Sequence, residues 1–357
     1  MSFLTSGFLL VAGILTLFGG GELFVAGAVA VSLLLGIPQV VIGLTVVSVG
    51  TSAPELFVSL LSILQGGDNL AVSNVVGSNI FNMLIVLGLS ALVVPLRVKS
   101  RLVRRDVPLL LGVSMAVWGM ASGSRITWQA GLALLVGLVM TFIWEIRTAN
   151  ENPEELGEDL EDDRSTTLVA LFKLAVGLAL LILGSRLLVK GAIGAALRLG
   201  VTQTVIGLTI VSAGTSMPEL VTSLVAAFRG KADLAIGNVV GSSLLNLLLI
   251  LGVCGAVSGG GGLAVDPVLV DRDFPVMLFA TLACLPIFWT RGVISRLEGG
   301  ILVGLYGLYL FEQLLNYGAP DTVDDYRLSI LVVILPIVTI FLLWNVLRWR
   351  QKRRVSS

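Results

Sequence analysis

Residues 50–56 read GTSAPEL and residues 214–220 read GTSMPEL, each setting a Glu beside a Pro inside a long apolar run. An ionised carboxylate near the centre of a bilayer costs roughly 2.5 to 3.5 kcal/mol on insertion scales, so Glu55 and Glu219 need a reason to be there. Around Glu55 the polar residues Thr45, Ser48, Ser52, Ser59 and Ser62 recur three or four apart, and Thr209, Ser212, Ser216 and Ser223 repeat the pattern around Glu219. That spacing puts each set on one face of a helix, and lipid cannot hydrogen-bond such a face, so it must look at protein or water. Pro54 lacks an amide hydrogen and crowds the carbonyl of Gly50; Pro218 does the same to Gly214. Each motif thus frees backbone oxygens one turn from a carboxylate. Clustered hard oxygens suit Ca2+ or Na+.

A second pair of stripes follows each motif, Asn74, Ser78 and Asn82 in the first case and Asn238, Ser242 and Asn246 in the second. Asn offers an uncharged carbonyl oxygen, and the same residues serve equally well as interhelical hydrogen-bonding groups. Two Glu with freed carbonyls and a water would supply the roughly six to eight oxygens that Ca2+ takes, whereas Mg2+ keeps its waters in a tight octahedron. Two carboxylates neutralise one Ca2+. A loaded site could then move without a large solvation penalty while an empty dianionic one could not, which favours exchange over leakage. A single Gly-x-x-x-Pro-Glu is explained by a structural kink with a satisfied Glu; a second copy at the equivalent position is not.

The elements that must carry these residues are membrane helices. Hydrophobic residues make up 56% of the 357 and charged ones 13%, with mean hydropathy +0.98, which excludes a water-soluble globule. Stretches able to span, at about 20 residues each, fall at 3–35, 39–64, 69–95, 106–122, 126–147, 167–199, 203–228, 233–257, 273–290, 293–315 and 327–348. The first lacks a basic flank and runs to Leu35, so it spans and is not a cleaved signal. With the N-terminus outside, Arg97, Lys99, Arg101, Arg104, Arg105, Arg229, Lys231, Arg291, Arg296 and the tail RWRQKRR all fall inside, against Arg125 and Arg198 outside, and the acidic loop PDTVDDY is external. The C-terminus is then cytoplasmic. Zero net charge and no His argue against nucleic acid and imidazole-ligated metals. Cys254 and Cys284 lie in apolar spans as packing residues. Trp118, Trp128, Trp144, Trp289, Trp344 and Trp349 mark span ends, and Glu22, Arg186 and Lys190 are expected to form a structural ion pair or to snorkel.

The chain is written twice. Sliding it by the offset from Glu55 to Glu219 aligns IGLTVVSVGTSAPELFVSLL with IGLTIVSAGTSMPELVTSLV, and LAVSNVVGSNIFNMLIVLG with LAIGNVVGSSLLNLLLILG, without a gap. About half the positions from Ile42 to Ser90 are identical, and Gly20, Gly27, Gly36 and Gln39 pair upstream with Gly184, Gly191, Gly200 and Gln203. Five spans separate the copies, so the second enters the membrane from the opposite face. The expected architecture is an all-α integral membrane protein of two inverted five-helix repeats, 1–147 and 167–315. An acidic cytoplasmic linker at 148–166 joins them, and 316–357 adds an external loop, an eleventh helix and the basic tail. Inverted repeats with interrupted helices and a site near the midplane are the pattern of secondary transporters. Gly77, Gly88, Gly241 and Gly252 are expected to serve close helix packing, and ENPEELGEDLEDD at 151–163 has no EF-hand spacing.

The paired GTS-x-PE motifs, each followed by a GNVVGS-like segment, resemble the alpha repeats of the cation/calcium exchanger superfamily, most closely its prokaryotic sodium/calcium exchangers. The resemblance covers roughly residues 5 to 315. It implies ten core helices in two inverted fives, with long helices 1 and 6 as a sliding unit. It also implies an ion site drawn from Thr51, Ser52, Glu55, Thr215, Ser216 and Glu219, main-chain oxygens of Ser48 and Ser212, and side chains of Ser78, Asn82, Ser242 and Asn246. Asn246 stands where some relatives carry Asp, and an eleventh helix exceeds the pattern. The expected function is a Ca2+/Na+ antiporter of the cell membrane that alternately exposes one central site, with a Ca2+/H+ antiporter and a cation channel as the alternatives. Ca2+ and Na+, with H+ or K+ as further candidates, are substrates. No cofactor, catalytic residue, nucleic acid or obligatory protein partner is implied.

Overall fold

The computed structural model describes residues 2–98, 102–149, 166–200, 210, 212–289, 292–341 and 344, and these are almost entirely helical. The acidic stretch 151–163, Lys99, Arg101, Thr209, Arg291, Trp349, the first residues of the seventh expected span and the basic tail lie outside that set. In chain order the helices are α1 (Phe3–Leu35), α2 (Gln39–Thr51), α3 (Ala53–Leu64), α4 (Asp68–Val93), α5 (Val107–Ala121), α6 (Trp128–Ala149) and α7 (Thr167–Arg198). There follow α8 (Ser212–Thr215), α9 (Met217–Phe228), α10 (Ala232–Val257), α11 (Phe274–Trp289), α12 (Arg296–Gly318) and α13 (Val323–Ser329), beyond which the chain stays helical to residue 341. Among the described residues five helices, α1, α4, α6, α7 and α10, are long and apolar enough to cross a membrane, and the pair α2–α3, bent by 44°, makes a sixth if taken as one broken span. The fold is of the membrane type. Cys254 and Cys284 are free and buried, as packing residues should be.

Short backbone ribbons close the helix ends where the sequence gives only loops. Strand β1 (Leu96–Arg97) pairs antiparallel with β4 (Val293–Ile294), and β2 (Arg125–Ile126) with β3 (Leu263–Ala264). Each pairing satisfies amides that would otherwise be orphaned at a helix end, and each plugs fully buried apolar side chains, Leu96 with Ile294 and Ile126 with Leu263, into the core.

Glycines set the closest packing. Gly13, Gly20 and Gly27 on α1 and Gly177, Gly184 and Gly191 on α7 recur every seven residues, two helical turns, so each set forms one stripe. A Cβ at Gly20 would stand 2.8 Å from the amide nitrogen of Leu181, and one at Gly184 2.7 Å from that of Leu17. The two long helices therefore run backbone against backbone. Without a hydrophobic drive inside lipid, such contact is what holds helices together. Gly88, Gly241 and Gly252 also sit against neighbouring helices, as expected.

An ion network that the sequence reading missed is also duplicated. Arg105 donates from Nε to Asp106 at 2.7 Å and bridges Glu145, tying the start of α5 to the end of α6. In the second half Arg272 grips Asp273 at 2.9 and 2.8 Å, and Tyr309 and Gln313 of α12 donate to the same carboxylate at 3.1 and 3.3 Å. Glu312 stands where Glu145 does, but its cation comes from α13: Arg327 Nε donates to it at 2.7 Å. Arg327→Ala is expected to cost about 1 kcal/mol, since the arginine is partly solvated and Glu312 is not. A lowered thermal midpoint and faster proteolysis within α13 would register it; an unchanged midpoint would show that the pair does not hold α13.

Candidate functional site

Both motifs break their helix, and the break positions the carboxylate. The backbone leaves helical geometry at Ser52 (φ −81°, ψ 1°) and Ser216 (φ −92°, ψ 11°), and a new helix starts on the next residue with Pro in its first turn, where the missing amide costs nothing. Glu55 and Glu219 thus occupy the first turns of α3 and α9, beside the carbonyl ends of α2 and α8, and both are 1% exposed. Carbonyl ends of interrupted helices are a recurrent source of cation-binding oxygens.

The two motifs interlock across the chain. Ser52 Oγ donates to Glu219 Oε1 at 3.3 Å, and Ser216 Oγ donates to Glu55 Oε1 at 3.0 Å. Ser216 Oγ also lies 3.2 Å from Ser78 Oγ. Thr51 Oγ1 donates to Asn238 Oδ1 at 3.2 Å and lies 3.4 Å from Ser242 Oγ. The carbonyl of Ser48 accepts from the amide of Ser52 at 2.9 Å, while its hydroxyl donates to the carbonyl of Gly43 and lies 3.1 Å from that of Asn238. Of the twelve residues expected at the site, eight fall in two hydrogen-bonded groups, each spanning both halves: Ser48, Thr51, Ser52, Glu219 and Ser242, joined through Asn238, and Glu55, Ser78 and Ser216. Thr215 is half-buried at the end of α8, and the side chain of Ser212 lies outside the described residues.

Asn82 and Asn246 are both buried, and neither amide atom of either has a hydrogen-bond partner among the described residues; the same holds for Oε2 of Glu55 and of Glu219. This separates the asparagines that the sequence leaves ambiguous. Asn238 donates to Ser223 Oγ at 2.9 Å and to the Glu219 carbonyl at 3.3 Å, and its counterpart Asn74 donates to Ser59 Oγ at 3.0 Å, so this pair ties helices together. Asn82 and Asn246 start π-helical turns, Asn82–Val86 and Asn246–Ile250, and such turns widen the helix and are frequent at functional sites. Asn79, buried with both amide atoms unpartnered, has no structural explanation. No cluster of three or more His, Cys, Asp or Glu exists among the described residues, so the charge of the two groups rests on two glutamates.

Glu22 does not pair with Arg186: it bridges to Arg229, in the turn after α9. Trp118 is more than a span-end marker, since its indole donates to the Val270 carbonyl at 2.9 Å.

The profile of the family described as sodium/calcium exchanger protein matches residues 5–146 and 169–315. The chain is 32% identical over 320 residues to inner membrane protein YrbG of Escherichia coli, covering 86% of this chain and 98% of that one. It is 30% identical over 343 residues to sodium/calcium exchanger MaX1 of Methanosarcina acetivorans, covering 85% and 96%. The fold matches a structure of the sodium-calcium exchanger NCX_Mj with a TM-score of 0.73 at 26% identity, over 85% of this chain and 97% of that one. With both halves of the sequence matched by the family and the fold matched by a solved exchanger, the chain belongs to the sodium/calcium exchanger protein family.

Proposed function

We propose that this protein is a secondary antiporter that exchanges Ca2+ for Na+ at one central site. Glu55 and Glu219 would be its charged ligands. Ser52, Ser216, Thr51, Thr215, Ser78, Ser242, Asn82 and Asn246 would be neutral oxygen donors, with the main chain of Ser48 and Ser212. The observation that carries this reading is the set of four buried oxygens, Oε2 of each Glu and Oδ1 of Asn82 and Asn246, that meet no hydrogen-bond donor among the described residues. A buried acceptor left unpaired costs about 1 to 3 kcal/mol. Four at symmetry-related positions are better explained by a cation than by packing.

Two features support alternating access between inverted halves. Strand β1 meets β4 and β2 meets β3, which requires an even number of membrane crossings between the members of each pair; ten core helices entering from an external N-terminus meet that condition. The equivalent gaps beside the site also differ. On one side α1 packs along α9, where a Cβ at Gly21 would stand 3.0 Å from Val221 and 3.1 Å from Val225. On the other, a cavity of about 790 Å3 separates α7 from α3 and reaches Pro54, Gly214 and Thr215. One open and one closed gap is what an exchanger caught in a single access state would present. By the positive-inside rule the open gap faces outward.

The test is calcium uptake into proteoliposomes under imposed gradients of sodium, potassium or protons. Saturable uptake is expected with sodium loaded inside, and neither potassium nor protons should replace it. Uptake driven by protons alone would make this a Ca2+/H+ antiporter with the same two glutamates as carriers. Uptake that needs no counter-gradient and does not saturate would make it a channel.

A further inference from the structure

The open cavity beside α7 is lined by basic side chains and by no carboxylate among the described residues. Arg186 and Lys190 both line it, both are exposed, and neither makes an ion pair or hydrogen bond with another described residue. They lie about 5 and about 11 Å past the midpoint of α7, taking roughly 1.5 Å per residue. A third cation, Arg198, also lines the cavity but lies over the Phe3 ring, and no Asp or Glu lines it among the described residues; apart from Ser185 and Thr215 its remaining walls are apolar, with Phe57, Ile182, Val189, Ile193 and Leu197 prominent. Unpaired cations at this depth require a partner, and none of the described residues provides one.

The internal repeat shows which partner is missing. Glu22 occupies on α1 the position that Arg186 occupies on α7, and Gln65 occupies in the first half the position of Arg229. On the closed side Glu22 and Arg229 form an ion pair between α1 and the turn after α9. The equivalent residues on the open side are a cation and a neutral amide, so a bridge there needs an anion brought from outside. We propose that this cavity binds an anionic phospholipid of the bilayer, its phosphate oxygens accepting from the Arg186 guanidinium and the Lys190 ammonium and an acyl chain lying on the apolar wall between α7 and α3. Both basic side chains can extend along the helix toward the headgroup level, and a planar guanidinium suits two phosphate oxygens at once. The described lining of the cavity comes from α3, α7 and α8, and the space between α7 and α3 gives a lipid lateral entry.

The test is native mass spectrometry of the full-length, delipidated protein titrated with phosphatidylglycerol, phosphatidylcholine or inorganic phosphate. Each basic side chain near an anionic headgroup contributes about fivefold, so wild type should prefer phosphatidylglycerol to phosphatidylcholine by up to about 30-fold. Arg186→Gln with Lys190→Gln should abolish the preference, Lys190→Gln alone should reduce it about fivefold, and the charge-conserving Arg186→Lys with Lys190→Arg should retain most of it. A preference that survives in the double Gln variant would overturn the proposal, as would equal binding of the two lipids by wild type. Displacement of phosphatidylglycerol by millimolar phosphate would assign the cations to a free oxyanion, which also overturns it. The assay imposes no ion gradient, so its outcome and that of the exchange experiment are independent.

Discussion

Glu219→Gln is expected to lower sodium-driven calcium uptake by at least about 100-fold while the protein still inserts and folds. At a separation of 4 Å and an effective dielectric of 20, one pair of unit charges is worth about 4 kcal/mol, close to three decades in an equilibrium constant, and Ca2+ carries two charges. The amide keeps the shape of the carboxylate and an oxygen that can still accept from Ser52 Oγ, so the link between the two halves survives. The loaded site changes from neutral to singly positive, which penalises both binding and passage through the closed intermediate. Glu55→Gln should behave alike, because Ser216 holds Glu55 as Ser52 holds Glu219. Glu22→Gln serves as the contrast: its ion pair with Arg229 is solvent-exposed, and uptake should stay within about twofold of wild type. Proteoliposome flux, with size-exclusion elution and thermal midpoint as folding checks, reads all three. A Glu219→Gln protein that keeps more than a tenth of wild-type uptake would remove this residue from the site.

The hydrogen-bonded groups of the candidate site were largely legible in the sequence because their parts repeat. Pro and Glu at a fixed distance announce a helix break with a carboxylate in the next turn, and the second copy turns that pattern into a meeting of two, which the crossed Ser52–Glu219 and Ser216–Glu55 bonds realise. Spacing could not divide the asparagines, since Asn74 and Asn82 fall on the same helical face; the structure ties Asn74 to Ser59 and leaves Asn82 unpartnered. Contacts across the repeat were not legible for a different reason. Alignment equates residues at equivalent positions of the two copies, and equivalent residues need not touch: Glu22 aligns with Arg186 and pairs with Arg229. The Arg105–Asp106–Glu145 network and its counterpart escaped because the offset between the copies has grown by three residues there, beyond the ungapped match that ends near Ser90. Two-residue strands are too short to show an alternation. The unequal gaps between α1 and α9 and between α7 and α3 could not be read at all, because a duplicated sequence predicts two equivalent packings.

Gly20→Leu should be the most damaging change away from the glutamates. A Cβ at Gly20 would lie 2.8 Å from both the amide nitrogen and the Cβ that α7 presents at Leu181 and Leu180, and 3.0 Å from the carbonyl of Gly177. Two of those atoms are backbone, which cannot swing aside as a side-chain tip can. Admitting even a methyl group requires α1 and α7 to separate. Because the stripe Gly13, Gly20, Gly27 faces Gly177, Gly184 and Gly191 along most of both helices, separation at the centre loosens the contacts at either end. The expected loss exceeds about 3 kcal/mol, the upper range for overpacked interiors. The adjacent residue provides the control: a Cβ at Gly19 meets nothing within 4 Å, so Gly19→Leu faces lipid and should gain up to about 1 kcal/mol of helix propensity. Thermal midpoints of the two variants in detergent should therefore move in opposite directions, and sodium-driven uptake should fail only for Gly20→Leu, whose α1–α7 packing is lost. Equal midpoints for these neighbours would mean that the helices do not touch along this stripe.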